Sequence, residues 1–534
     1  MSPRLHHEFY ERYININLCY ISFFTFKGDI MKSIRLQNLR SFEDTGYIKT
    51  EGLTVIVGEN SVGKSTILRS LPLIKQSIET KTTSPFLWYG DYVDFGSFKE
   101  SLNRNNKDSI IGFSFEIDLT LYRMRYRYRN IIDEEELKNV KIELYVNGKE
   151  KVDYINKIKL IIIDNKIIID IDVKGRVVKA SINDAEVTEF FKDYVFRNPR
   201  TGIIPEIYEK SDNELFDRYV YRTPYRNNKF MRELINLIKS KVHSNTGENK
   251  IYDIIKYLRI TTKDEFIKCV LRSGVELISW NKFLKSPQSK DYINSMRNLH
   301  IGSMLYEILR DISDYFNMFS NDIYYIAPIR ANANRYYRNQ NLSVDSVDFQ
   351  GLNLPMLLAN LSTSNKKEFS NWVYENFGFE VIIKMNEGHI SINIKSGNEI
   401  VNMVDSGFGY SQILPIITQL WLLTKKKSNS RNLTLIIEQP ELHLHPRMQG
   451  NLVDLFVKCI NSPNINLNII IETHSETIVN RLGYLIYDKK ISKDDINIYI
   501  LSKDGKNTIV EKSYYDNNGA LENWPLDFFN VEAF

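Results

Sequence analysis

Apolar positions along the chain follow two rhythms, a period of two and a period near 3.6, and the places where one replaces the other mark the predicted elements. From Met31, the residues Ile34, Leu36, Leu39 and Phe42 predict a strand and a bend, Asp44-Thr45-Gly46 a turn, and Leu53-Thr54-Val55-Ile56-Val57 a second strand. Ile67, Leu68 and Leu71 are spaced as a helix, and Pro72 with the polar run Glu79 to Ser84 predicts its end. Alternation from Ile110 to Leu119 predicts a half-buried strand. Residues 140–182 read as a meander of Val/Ile-rich strands, with turns at Asn147-Gly148, Asp164-Asn165 and Lys174-Gly175. Residues 186–320 read as mostly helical, most clearly at Phe230 to Ile238 and Leu299 to Phe316, without coiled-coil heptads or an internal repeat. Tyr324 to Arg330 resumes as a core strand, and the Asn/Arg/Tyr-rich stretch to about Gln350 reads as a connector.

The densest chemistry lies where the second strand meets the first helix. Val55-Ile56-Val57-Gly58-Glu59-Asn60-Ser61-Val62-Gly63-Lys64-Ser65-Thr66 is a strand, a glycine-bounded loop and a helix start, with the spacing of a phosphate loop. Glycines let backbone N–H groups turn inward around phosphate oxygens at a helix start, where the dipole favours anions. In that setting Lys64 reaches the β- and γ-phosphates, and the Ser65 hydroxyl is a ligand for Mg2+. The expected cofactors are therefore ATP and Mg2+.

Two basic stretches interleave arginine with tyrosine. In Tyr122 to Arg129, strand spacing puts Arg123, Arg125, Arg127 and Arg129 on one face and Tyr122, Tyr126, Tyr128 and Met124 on the other. Arg218 to Lys229 interleaves Arg218, Arg222, Arg226 and Lys229 with Tyr219, Tyr221 and Tyr225. Each reads either as a solvated face over a tyrosine core or as a grip on nucleic acid.

Three segments of the last third complete the set. Asp405-Ser406-Gly407-Phe408-Gly409-Tyr410-Ser411-Gln412 is a glycine loop running into an apolar helix, Ile413 to Leu423. Leu433-Thr434-Leu435-Ile436-Ile437 is a buried strand ending in Glu438-Gln439-Pro440-Glu441. Ile469-Ile470-Ile471 is another, ending in Glu472-Thr473-His474-Ser475. Phosphate loop, glycine signature, acidic strand and strand-end histidine, in that order, resemble the ABC-type ATPase heads of the SMC, RecF and OLD (overcoming lysogenization defect) groups. The string IIEQPELHLHP is similar to the Walker B and D-loop of OLD-like ATPases, and ETHSE to their H-loop. The ending Ala520 to Phe529 resembles the tail of a bacterial subgroup with defence-linked members.

The resemblance covers residues 31–120 and about 320–534. It implies an α/β fold, a P-loop NTPase of ABC-ATPase type with a large inserted α+β lobe. The implied division is an N-terminal extension at 1–30, the first part of the head at 31–120, the inserted lobe at 121–320 and the rest of the head at 321–534. By the same resemblance Glu438 takes the magnesium position, His474 senses the γ-phosphate, and Ser406, Gly407 and Gly409 face the γ-phosphate held by a second copy. A homodimer around two sandwiched nucleotides follows. Arg40, before the loop, and Gln76, the first glutamine after it, correspond by order to nucleotide-contacting positions. One departure stands out. Gln439 occupies the position of the glutamate that orients attacking water, and glutamine cannot accept a proton. Glu441, across Pro440, is the carboxylate left to substitute, so slow hydrolysis is expected. His443 and His445 have a His-x-His spacing but no third ligand of the right kind.

By resemblance the role is a dimeric switch for a partner nuclease or toxin, in antiviral defence. The alternatives are a RecF-like DNA clamp and a nucleotide-bound scaffold that does not hydrolyse. A transporter ATPase fits less well, because the signature departs from LSGGQ. Residues 475–534 are too few for the TOPRIM nuclease of OLD proteins.

Composition narrows this only in part. A net charge of +4 over 534 residues gives no bulk attraction to nucleic acid, so any such contact must be local. Cys19, Cys269 and Cys459 lie far apart, which fits a reducing cytoplasm and neither a disulfide frame nor a zinc site. The apolar run Ile14 to Phe26 is interrupted by Asn15 and Asn17 and is too short for a bilayer. Lys27-Gly28-Asp29 can be encoded as AAA-GGA-GAT, a ribosome-binding purine run, so Met31 is the expected natural start.

Overall fold

The computed structural model describes residues 30–105, 108–124, 132–149, 152–199, 201–209, 228–340, 343–426, 428–505 and 507–525. At its centre lies a seven-stranded sheet in the order Ile323–Ile326, Ser428–Glu438, Ile465–Glu472, Leu53–Gly58, Ile496–Asp504, Asn507–Tyr515 and Leu521–Glu522. The first five run parallel, and each of the last two pairs antiparallel with the strand before it. Parallel strands are covered by helices on both faces, which is why their sequences are unbroken apolar runs. Period two then sorts the residues. Ile56, Ile436 and Ile470 join one core with the helices Lys64–Glu79 and Ser289–Asn321. Val55, Val57, Leu435, Ile437, Ile469 and Ile471 join the other, with Phe408–Lys425, Pro446–Ile460 and Glu476–Tyr487. The α/β phosphate-loop fold expected from the pattern is therefore present. No helix among the described residues is long and apolar enough to cross a membrane.

Several expectations change. Pro72 lies inside Lys64–Glu79 instead of ending it. An interior proline costs about 3 kcal/mol. Leu68, Leu71, Leu73 and Ile74 are each at most 2% exposed, and at about 1.5–3 kcal/mol per buried side chain their packing outweighs that cost. Pro415 is carried within Phe408–Lys425 in the same way.

The boundary expected between 120 and 121 falls inside the strand Ile110–Met124. That strand pairs with Ile30–Leu39 on one side and with Ile132–Lys149 on the other. The meander therefore continues the head's own antiparallel sheet, a nine-stranded one that ends at Ala185–Glu186. Gly148 is not a turn but part of Ile132–Lys149. A Cβ there would lie 2.3 Å from the Phe98 ring, so close approach requires the glycine. The next hairpin turns at Ile163-Asp164, with φ of +59° at Ile163, one residue before the expected Asp164-Asn165, since Asn165 is already in strand; Gly175, with φ of +77°, makes the third turn as expected.

The segment read as helical also contains a strand pair, Tyr194–Arg197 with Glu206–Glu209. The helix expected from Leu299 to Phe316 runs instead from Ser289 to Asn321, because Tyr292, Ile293 and Met296 extend its apolar face into a small core around Trp280. The strand expected from Tyr324 to Arg330 ends at Ile326. The following connector leads into a four-stranded antiparallel sheet of Tyr337–Arg338, Glu380–Asn386, His389–Ser396 and Glu399–Asn402.

Candidate functional site

At the C-terminal end of the parallel sheet, Leu53–Gly58 passes into the loop and then into Lys64–Glu79. A Cβ on Gly58 would lie 2.6 Å from the Leu501 carbonyl oxygen, and Gly63 has a φ of +106° with the Phe42 ring 2.9 Å from the same position. Both glycines are required by space, and Gly63 by conformation as well. Val62 is buried, and its carbonyl accepts from Thr508 Oγ1 at 2.7 Å, which ties the loop to Asn507–Tyr515, two strands away in the sheet. Glu59, Asn60 and Ser61 are exposed, and Ser61 is in the left-handed region with a φ of +63°. No side chain caps the helix start at Gly63, while Thr66 N–H donates to the Gly63 carbonyl at 2.9 Å. Lys64 is 3% exposed. Its Nζ donates to the carbonyls of Gly58 at 3.0 Å and Glu59 at 2.6 Å, and burial lowers its pKa.

Two carboxylates end the neighbouring strands in register, Glu438 opposite Glu472. Glu438 is 1% exposed. Arg69 Nε and Nη2 donate to its two oxygens at 2.7 and 2.8 Å, and Tyr325 OH donates to Oε1 at 2.7 Å. Those hydrogen bonds raise the Arg69 pKa, while burial and the Glu438 charge raise that of Tyr325. Glu472 is the carboxylate nearer the loop, because its strand pairs directly with Leu53–Gly58. Ser65 Oγ donates to Glu472 Oε2 at 2.7 Å. Burial, with Glu438 beside it, pushes the Glu472 pKa from 4.5 up to about 7.

That shift has a stability consequence of definite sign. The folded protein keeps the Glu472 proton to higher pH than the unfolded chain, so the contribution is full below 4.5 and is lost as pH rises through about 7. The full gap corresponds to about 3 kcal/mol. Urea unfolding without nucleotide or metal should therefore show wild type losing stability relative to Glu472→Gln between pH 5 and pH 8. Parallel pH profiles for the two proteins would contradict this.

Beyond Glu438 the chain turns sharply. Gln439 has a φ of +45°, held by its own N–H donating to the Glu472 carbonyl at 2.8 Å and by Arg330 Nη2 donating to the carbonyls of Glu438 at 2.8 Å and Gln439 at 3.3 Å. The Gln439 side chain makes no hydrogen bond among the described residues. Arg330 is 3% exposed, and burial brings its pKa down to about 10. Pro440 returns the chain so that Glu441 Oε2 accepts from Thr473 Oγ1 and Oε1 from the His474 N–H, both at 2.8 Å. Burial raises the Glu441 pKa against those bonds and against Arg330. His474 is half-buried, and burial together with Lys64 lowers its pKa, so it is neutral near pH 7. Lys64, Ser65, Glu472, Glu441 and His474 thus converge on one strand end.

Gly407, with φ of +93° and open space around it, precedes Phe408–Lys425, and Gly409 packs so closely that a Cβ would lie 2.9 Å from the His443 carbonyl. Ser406 Oγ donates to the Asn402 carbonyl at 3.0 Å. No hydrogen bond among the described residues joins 405–412 to 58–66. His445 accepts from the Arg447 N–H at 3.3 Å, as a helix cap.

Two residues expected at the nucleotide are engaged differently. Arg40 stacks its guanidinium 4.3 Å from the Phe95 ring centroid and donates to the Asp94 carbonyl at 3.1 Å, with burial and then Arg69 lowering its pKa. Gln76 is 2% exposed and spends its amide on Leu87 and Val93, pinning the 87–93 loop instead of facing the phosphate loop. Of the basic face, Arg123 is a strand residue opposite Asp133. Arg125, Arg127 and Arg129 lie outside the described residues, as do Arg218, Arg222 and Arg226. Lys229 donates to the Glu189 carbonyl at 2.9 Å.

Sequence reasoning missed Glu472, Arg69, Arg330 and Tyr325. For Glu472 a signal was present, a carboxylate directly after an apolar strand and before Thr-His. Arg69 follows Ser65 by four residues and so shares its helix face.

The family described as an AAA ATPase domain matches residues 30–479. A DNA replication and repair protein RecF from an Exiguobacterium species is 31% identical over 85 residues, 16% of this chain and 23% of the relative. The match thus spans under a quarter of that relative's length. Among solved structures, the SMC head domain from Thermotoga maritima aligns with 9% identity and a TM-score of 0.33, covering 90% of this chain and 98% of its own. An Smc head domain with an extended coiled coil, bound to the C-terminal domain of ScpA, from Pyrococcus furiosus, aligns with 11% identity and a TM-score of 0.33, covering 91% and 96%.

Proposed function

The chain belongs to the AAA ATPase domain family, and from that premise we propose that it binds MgATP at the phosphate loop and hydrolyses it slowly. The observation that carries this reading is the convergence of Lys64, Ser65, Glu472, Glu441 and His474 at one end of the parallel sheet. Lys64 exchanges its two carbonyl partners for phosphate oxygens. Ser65, with a strand-end carboxylate, has the hydroxyl and carboxylate oxygens that suit Mg2+, which would neutralise charge on the β- and γ-phosphates. Glu441, half-buried and held by Thr473 and His474, orients and deprotonates the attacking water in place of Gln439. Neutral His474 donates a hydrogen bond to the γ-phosphate.

The finer reading rests on the resemblance of the motifs in the last third. Two copies close around two nucleotides, with Ser406, Gly407 and Gly409 of each facing the other's γ-phosphate, and the open space at Gly407 supports this. The closed dimer acts in the cytoplasm as a switch for a partner nuclease or toxin in antiviral defence. Steady-state hydrolysis with and without duplex and single-stranded DNA, read together with sedimentation, tests both levels. The expected result is turnover well below one per second, unaffected by DNA, and ATP-dependent dimerisation. Strong stimulation by DNA would favour a RecF-like clamp instead, and dimerisation without any turnover would favour a scaffold.

A further inference from the structure

The two strand-end carboxylates are not equivalent. Glu438 stands where the motif places the magnesium ligand, yet a guanidinium fork occupies both of its oxygens and Tyr325 OH takes a further position on Oε1. Three of about four in-plane acceptor positions are filled, and the carboxylate is 1% exposed. For this group to bind a cation, Arg69 would have to withdraw from a buried bidentate pair. The strand carrying Glu438 is also one place further from the phosphate-loop strand, with Ile465–Glu472 between them.

Glu472 has the opposite character. It is 4% exposed, no cation pairs with it at salt-bridge distance among the described residues, and its one side-chain hydrogen bond there comes from Ser65 Oγ. Neighbouring oxygens in an octahedral Mg2+ shell with bonds of about 2.1 Å stand about 3 Å apart. Ser65 Oγ and Glu472 Oε2, 2.7 Å apart, are already close to that spacing.

We propose that Glu472 is the carboxylate that serves the magnesium ion together with Ser65, and that Glu438 is a positioning residue locked by Arg69. The proposal rests on the reading of the site as a MgATP site. Arg69 follows Ser65 by one helical turn, so the Arg69–Glu438 pair sets the height of the helix start over the strand ends. Glu438 thereby fixes where Ser65 sits, and Glu472 meets the ion.

Mn2+ serves as the probe. Its affinity for the full chain carrying a non-hydrolysable ATP analogue is read from the electron paramagnetic resonance of free Mn2+, and analogue binding is measured separately in EDTA. Glu472→Gln should weaken Mn2+ at least about tenfold and leave metal-free analogue binding within about twofold. Glu472→Asp, which shortens the same ligand, should fall between it and wild type. Glu438→Gln, whose amide oxygen still accepts from Arg69 Nε and Tyr325 OH and so keeps the helix start in place, should change Mn2+ affinity less than about threefold. A tenfold loss with Glu438→Gln and none with Glu472→Gln or Glu472→Asp would overturn the assignment while leaving the MgATP reading intact. Wild type that binds no analogue, with or without metal, would overturn the MgATP reading and the assignment with it.

Discussion

Replacing Glu441 by glutamine is expected to lower ATP turnover by about 10²- to 10⁴-fold while ATP affinity stays within about threefold. Position 439 carries an amide, so the proposed mechanism takes its general base from elsewhere, and Glu441 is the carboxylate that the Pro440 turn returns to the site. Its oxygens are fixed by Thr473 Oγ1 and by the backbone N–H of His474, both at 2.8 Å. Burial raises its pKa, which makes it a better proton acceptor once ionised, and Arg330 opposes that rise. Glutamine keeps the acceptor for one of the two hydrogen bonds and removes the base. Single-turnover hydrolysis with radiolabelled ATP, paired with equilibrium binding, separates the two effects. Unchanged turnover in Glu441→Gln would assign the base elsewhere, and an equal loss of binding would make the residue structural.

The second large effect concerns stability. Arg69→Met leaves the Glu438 carboxylate buried and without its cation, and breaking such a pair from one side costs about 3–5 kcal/mol. Arg69 is itself 30% exposed against 2% for Glu438, so water can partly replace it and the lower end, about 3 kcal/mol, is expected. The double variant Arg69→Met/Glu438→Gln should regain at least half of that loss, since the amide keeps an acceptor for Tyr325 OH without an uncompensated charge. Urea unfolding of the nucleotide-free protein measures both. A loss under about 1 kcal/mol, or no recovery in the double variant, would mean that the pair does not anchor the helix start.

What could be read from the sequence was whatever is local. The phosphate loop is contiguous, so Gly58, Gly63, Lys64 and Ser65 were legible from spacing alone. Glu441 and His474 were legible as motif strings. The importance of Glu472 was not, because it depends on strand order. Nothing in Ile469-Ile470-Ile471-Glu472 says that this strand, and not Ser428–Glu438, pairs directly with Leu53–Gly58. Arg69 was hidden for a similar reason, since on a helix it reads as solvated until the partner strand brings Glu438 to it. Pro72 and Gly148 misled because local rules were applied where packing decides, Pro72 being carried by its buried neighbours and Gly148 being set by the Phe98 ring. The same holds for the domain boundary, where a strand begun in the head continues into the meander.

The most direct test of nucleotide binding at this loop is an equilibrium titration of the full chain with a fluorescent ATP analogue and Mg2+, with Lys64→Ala alongside. Lys64 is expected to exchange its carbonyl partners at Gly58 and Glu59 for phosphate oxygens. Charge-assisted hydrogen bonds contribute about 1.5–3 kcal/mol each, so losing two of them should weaken binding about 100-fold or more. Saturable binding by wild type, lost to that extent in a folded Lys64→Ala protein, is the expected result. Equal binding by both proteins, or none by wild type, would contradict a nucleotide site at the phosphate loop.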